Sequence, residues 1–253
     1  MSAELDIVRN ARARRLRLSV DPASGRVKLT LPPRASLKRA MAWVEEHKGW
    51  IETQRERLPE ARPFAPGEVI PVEGVDTLID WSPERPRTIT LIRHAGPVPA
   101  SAAPQRLDSM VEMQTPAQGR GDGKLVCGGP LEGLARRIES WLKRRALTVL
   151  SEETAEFAAK AGVTVSRVSV ADPKARWGSC ASSGAIRYSW RLILAPPHVR
   201  RSTVAHEVAH RVEMNHSPAF YAVFRDLYAA DPAPARAWLK RHGAALHWLG
   251  RRS

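Results

Sequence analysis

Two cysteines, Cys127 and Cys180, are all that the 253 residues contain. They stand far apart in dissimilar surroundings, which argues against an oxidised framework and for reduced thiols in a cytoplasmic protein, with a Cys127–Cys180 bridge as the alternative. Long apolar runs are missing too. Arginines interrupt every such run in the first thirty residues, so neither a signal-peptide core nor a membrane span can be drawn there or later, and no membrane partner is expected. Acidic residues are in short supply, 26 against 40 lysines and arginines, for a formal charge of +14. That balance favours anionic partners such as nucleotides, nucleic acid or acidic peptides, although the basic residues are scattered rather than clustered. The glycine-rich stretch GRGDGK lacks both the Walker spacing and the following Ser or Thr, and no acidic Mg²⁺ cluster occurs. What remains is 43% hydrophobic, enough to bury a core as one large domain or two small ones.

The pattern along the chain predicts an α+β fold. Leu16, Leu18 and Val20, then Val27, Leu29 and Leu31, alternate with polar residues across Asp21, Pro22 and Gly25, the mark of a hairpin. Ser36 can cap a helix running to about Arg57, with Trp43 and Trp50 extending its buried stripe. Short strands are expected at Val69 to Val72, Thr77 to Trp81 and Thr88 to Ile92. A low-complexity loop fills roughly 94–124. A long helix from Leu131 to about Ala161 ends at Gly162, followed by strands over Val163 to Val170 and Ile186 to Leu194, and a helix over Val199 to Met214. The expected organisation is an amino-terminal β-rich region with one helix over 1–126 and a catalytic domain over 127–253.

That last helix carries H-E-x-x-H. His206 and His210 are four residues, or about 400°, apart, so both imidazoles leave one face at adjacent turns and can reach one ion. Zinc suits such nitrogens, three protein ligands leave a position for water, and Glu207 is placed to take that water's proton. Val204, Ala205, Val208, Ala209 and Val212 surround the trio with small apolar residues, so the helix is expected to be buried. For the third ligand the choices are His216, Glu213 and Asp226. His216 is preferred because Ser217 and Pro218 mark the start of a new helix and leave it on the corner between two.

The string RWGSCASSGAIRYSWRLILAPPHVRRSTVAHEVAHRVEMNHSPAFY resembles the core of the YgjP-like family of predicted metallopeptidases, relatives of the SprT-type zincins. The matching pieces are Arg176 to Cys180, Trp190, Pro196, the H-E-x-x-H motif, Asn215 to Ser217, and Phe220. The best-matching section covers roughly Val168 to Trp248, and the basic hairpin and first helix are similar as well. The resemblance implies a zincin-like core of helices packed on a small sheet. It also implies zinc on His206, His210 and His216, with Glu207 as general base. Metzincins share this spacing, but their glycine is replaced here by Glu213. A peptide or protein substrate is implied first. Nucleotide (UTP) pyrophosphatase activity is the alternative, and a nucleic-acid or protein binding module with structural zinc is the third reading. Zincins usually bind extended substrate along a strand beside the metal helix, and Ile186 to Leu194 is marked for that. Arg176, Ser179, Tyr188 and Tyr221 are candidate oxyanion donors. Cys180, Trp177 and Trp190 read as packed residues.

Overall fold

A computed structural model describes residues 5–93 and 123–251. The described residues form six helices and three small sheets, a mixed α/β structure. The chain divides into two compact units, Met1–Arg62 with Ala237–Ser253, and Pro63–Arg236. Neither border falls at the 126/127 division expected from sequence, which lies inside a strand of the second unit.

In the first unit, β1 (Leu5–Arg9), β2 (Arg17–Val20) and β3 (Val27–Leu31) form a sheet in the order β1-β3-β2. The pair β2-β3 is the expected antiparallel hairpin, and β1 adds a parallel strand to it. Alternation puts Val27, Leu29 and Leu31 on one face. They are buried there with Ala40 and Val44 of α1 (Leu37–Glu46) and Ile51 of α2 (Lys48–Glu56). Ser36 caps α1, its hydroxyl accepting from the Arg39 N–H. The single helix expected to about Arg57 is broken at His47, whose ring Nδ1 lies 2.8 Å from the Trp43 carbonyl. A continuing helix would give that carbonyl to the His47 N–H, which donates instead to Val44. Trp43 packs partly against the core, whereas Trp50, expected in the same stripe, is exposed.

The end of the chain returns to this unit. The Trp248 indole donates to the Pro22 carbonyl, and the Arg251 guanidinium donates to the carbonyls of Ala23 and Ser24. The Arg62 N–H donates to Trp248. These bonds fasten the hairpin turn, where Gly25 sits at φ 73°, to the last residues described.

The second unit opens with β4 (Val69–Val72), β5 (Val75–Ser82), β6 (Thr90–Arg93) and β7 (Gly123–Gly128), in the order β4-β5-β7-β6. Of the stretch expected as a loop over 94–124, residues 94–122 lie outside those described, and Gly123 and Lys124 begin β7. The β4-β5 turn uses Glu73 and Gly74, at φ 53° and 83°, as a twisted two-residue hairpin requires. Glu73 is held in that conformation from three sides. Its carboxylate accepts from Arg145 at 2.6 Å and pairs with Arg93 at 2.9 Å, and its N–H donates to Ile193 at 2.7 Å. Burial pushes this carboxyl up, but the two guanidiniums outweigh it and leave its pKa lowered.

The long α3 (Leu134–Ala161) ends at a left-handed Gly162, as read from the sequence. Three strands follow where two were expected: β8 (Arg167–Ala171), β9 (Gly178–Cys180) and β10 (Ala185–Ser189), in the order β8-β10-β9. The strand expected over Ile186 to Leu194 stops at Ser189, whose hydroxyl accepts from the Arg191 N–H and opens a 3₁₀ turn over Trp190–Leu194. All five residues of that turn are buried. A short apolar run carries no period by which a buried strand and a buried helical turn can be told apart. Then come α4 (Pro197–Ala209), with Pro197 in its first turn, and α5 (Pro218–Tyr228), while α6 (Ala233–Leu246) begins in this unit and lies mostly in the first. A buried ion pair, Arg200 to Glu153 at 2.9 Å, fixes α4 to α3. No described helix is long and apolar enough to cross a membrane.

Candidate metal centre

The helix expected to reach Met214 ends at Ala209, and His210 is its C-cap with φ −64° and ψ −15°. Those angles are still helical, so His206 and His210 keep the one-turn relation that their spacing requires. Val204, Ala205, Val208 and Ala209 are buried as expected, whereas Val212 is 50% exposed because the helix has ended before it.

Beyond His210 the chain turns back. The Asn215 side-chain oxygen accepts from the Ser217 N–H, and the Ser217 hydroxyl accepts from the Phe220 N–H to cap α5. This corner returns His216 to the first histidine, with 3.2 Å between their Nε2 atoms. The ligand-capable atoms of His206, His210 and His216 all lie within 4.8 Å of one another, the one such group of three among the described residues. Glu213 offers His210 its backbone carbonyl, 3.2 Å from Nδ1, and neither it nor Asp226 belongs to the group.

The donor set fits zinc. Nitrogens about 2.0–2.1 Å from a tetrahedral ion stand about 3.3 Å apart, close to the observed 3.2 Å. A carbonyl accepts only from an N–H, so the proton of His210 sits on Nδ1 and its Nε2 keeps a lone pair. Burial lowers the pKa of His206 to about 4, with His210, His216 and Arg236 adding to the effect. Burial lowers His210 as well. These two rings are therefore neutral at pH 7, the form that binds metal.

Phe220 forms the floor of the cluster. Fully buried, its ring lies 4.5 Å from His210, 4.8 Å from His216 and 4.9 Å from His206 between centroids. Phe224 adds an edge contact to His206 at 5.3 Å. The sequence offers one hint of this role, since Phe220 stands one turn after His216 at the start of a capped helix.

Glu207, on the same helix, is 6% exposed, and burial pushes its carboxyl up to about 7 against the opposing charge of Arg176. The backbone of β9 runs against it. A Cβ on Gly178 would stand 2.4 Å from Glu207 Oε1 and 2.6 Å from its Cγ, so only glycine leaves room for the carboxylate.

The other candidates separate. Tyr188 is buried, with its hydroxyl 3.0 Å from the Thr154 hydroxyl, and so is tied up as an oxyanion donor. Tyr221 stands 6.3 Å from His216 between ring centroids and is 39% exposed. Ser179 pairs with Arg187 in the sheet. Trp190 is core, under the Arg191 guanidinium, and Trp177 is half-buried. Cys127 and Cys180 are free thiols. The strand marked for pairing with substrate, β10, is flanked on both sides, parallel to β8 and antiparallel to β9. The edge beside Glu207 is β9, too short at three residues to stand out by alternation.

A family model described as the YgjP-like metallopeptidase domain matches residues 14–117 and 105–242, well over half of the chain. Neither a curated protein nor a solved structure matches it.

Proposed function

The chain belongs to the YgjP-like metallopeptidase-domain family, and from that premise we propose that it is a zinc-dependent peptide hydrolase with a zincin-like core. In this reading His206, His210 and His216 hold the metal and Glu207 is the general base. The observation that carries it is the convergence of three imidazoles, drawn from a helix end and the following corner, beside a buried carboxylate.

Zinc held there supplies Lewis acidity, which makes a water more acidic and a peptide carbonyl more electrophilic. Glu207 takes the proton of the attacking water on a carboxylate oxygen and delivers it to the departing amine as the C–N bond breaks. Gly178 lets the β9 backbone close over that carboxylate and fix its orientation. His210 is held by its Nδ1 bond to Glu213, and Phe220 fixes the planes of all three rings. As the sheet edge nearest Glu207, β9 suits an extended peptide that adds as a further strand.

Metal analysis of the purified protein tests the reading, with His206→Ala and Glu207→Gln alongside. Peptide and UTP hydrolysis are followed in parallel, with and without chelator. The expected result is about one zinc per chain, lost in His206→Ala and kept in Glu207→Gln, with chelator-sensitive peptide cleavage absent from both variants. Zinc retained by His206→Ala overturns the ligand assignment. Cleavage retained by Glu207→Gln overturns the general base, and UTP turnover without peptide turnover overturns the substrate class.

A further inference from the structure

A second polar site in the same unit shares no residue with the histidine cluster. A cavity of about 400 Å³ opens between the segment that leads into β6 and the first turns of α3. Arg87 lines it from the strand side, and Arg136, Arg137, Ser140, Trp141 and Arg144 line it from the helix. Arg137, Ser140, Trp141 and Arg144 follow the i, i+3, i+4, i+7 spacing and so share one helix face.

Three features set this group apart from ordinary surface arginines. Among the described residues, Arg87, Arg136 and Arg144 make no ion pair, although Arg145, the next residue, binds Glu73. The first turn of α3 contains no acidic residue, so Arg136 and Arg137 add positive charge to the positive end of the helix dipole. That placement works against the fold unless an anion offsets it. Finally, Arg137 is built in: its guanidinium donates to the carbonyls of Gly128 and Pro130 at 2.9 Å and of Glu132 at 3.2 Å, while its buried Nε has no partner.

The volume suits one nucleotide-sized occupant. Guanidiniums prefer phosphate oxygens, which accept two donors at once. The half-buried Trp141 ring supplies a flat wall on which a base can stack, and an acidic peptide would leave that wall without use. We propose that this cavity binds a nucleotide unit of single-stranded nucleic acid, its phosphates on Arg87, Arg136 and Arg144 and its base against Trp141. The same chemistry is offered by a free nucleotide, which the experiment separates.

Binding of a short fluorescein-labelled oligothymidylate to the full chain is followed by anisotropy over a range of salt concentrations, with unlabelled oligothymidylate and thymidine triphosphate as competitors. Arg136→Ala and Arg144→Ala should each weaken binding about three- to tenfold and flatten the salt slope by about one. Trp141→Leu should weaken it about tenfold and leave the slope unchanged. Arg201→Ala removes an equal charge from α4, where Arg201 pairs with Glu156, and should change little. Equal losses from Arg201→Ala and Arg144→Ala would mean attraction by net charge alone and overturn the proposal. So would unchanged binding in the Arg136→Ala/Arg144→Ala double variant, or an unchanged affinity in a folded Trp141→Leu. Competition by thymidine triphosphate as strong as that by the oligonucleotide overturns the strand assignment.

Discussion

The histidine centre and the arginine cavity lie in one unit and are built on opposite terms. Around the histidine cluster His206 and His210 are neutral at pH 7, all three rings pack on Phe220, and their ligand-capable atoms lie within 4.8 Å of one another. Along α3 the side chains of Arg136 and Arg144 are exposed, charged and free of carboxylate partners among the described residues. Shape governs the first site, and charge governs the second. Changes of volume should therefore damage one and leave the other intact, while changes of charge or salt should do the reverse.

The sharpest test of that contrast is Glu207→Gln, which keeps the volume and removes the proposed base. It is expected to lower kcat on the order of 10²–10⁴-fold with metal content and oligonucleotide binding unchanged. A parallel loss of oligonucleotide binding would join two sites that we hold apart. Phe220→Ala keeps every polar group and removes the floor. It should cost about 3–5 kcal/mol of stability and weaken metal retention, read from denaturant titration and metal content, and full metal retention would break the claim that packing orders the proposed ligands. Gly178→Ala adds one methyl against Glu207 Oε1 and should cost about a hundredfold in kcat, mostly without change in KM or metal. An unchanged kcat would show that Glu207 needs no such confinement.

The smallest effect belongs to a paired arginine, the counterpart of the unpaired ones. Burial pushes the Asp172 carboxyl up, but hydrogen bonds from Arg191 and Lys174 hold its pKa down at about 2. A depressed carboxylate stabilises the fold at pH values above its unfolded pKa, and this contribution is lost as pH falls from about 4 towards 2. Since Asp172 is one-third exposed, solvent screening leaves about 1 kcal/mol. Asp172→Asn should remove that part of the acid dependence in denaturant titrations at pH 7 and pH 3. An equal loss at both would trace the effect to packing rather than charge.

The histidines were legible because their geometry is local. A four-residue spacing needs only a helix, and even the helix ending at Ala209 leaves His210 in helical conformation. His216 could be read from Ser217 and Pro218, whose cap is present as expected. Residues that act across the sequence were not legible. Gly178 matters because β9 passes Glu207, and no local pattern reports that contact. The break at His47 depends on a side chain competing with the backbone for one carbonyl, which an apolar stripe does not reveal. Likewise β10 stops early because Ser189 caps a 3₁₀ turn inside a run that reads as a continuous strand.

The fastening of Trp248 and Arg251 to the hairpin turn at Pro22–Ser24 has a consequence for how the molecule is made. Synthesis delivers the hairpin before Trp248 and Arg251, and the whole of the second unit, Pro63–Arg236, arrives in between. The middle of the chain can thus complete its structure on the ribosome before the beginning can. The hairpin turn stays unsecured until Trp248 and Arg251 emerge, so a chain cut between Arg236 and Trp248 should lose those bonds while keeping every residue of the histidine cluster.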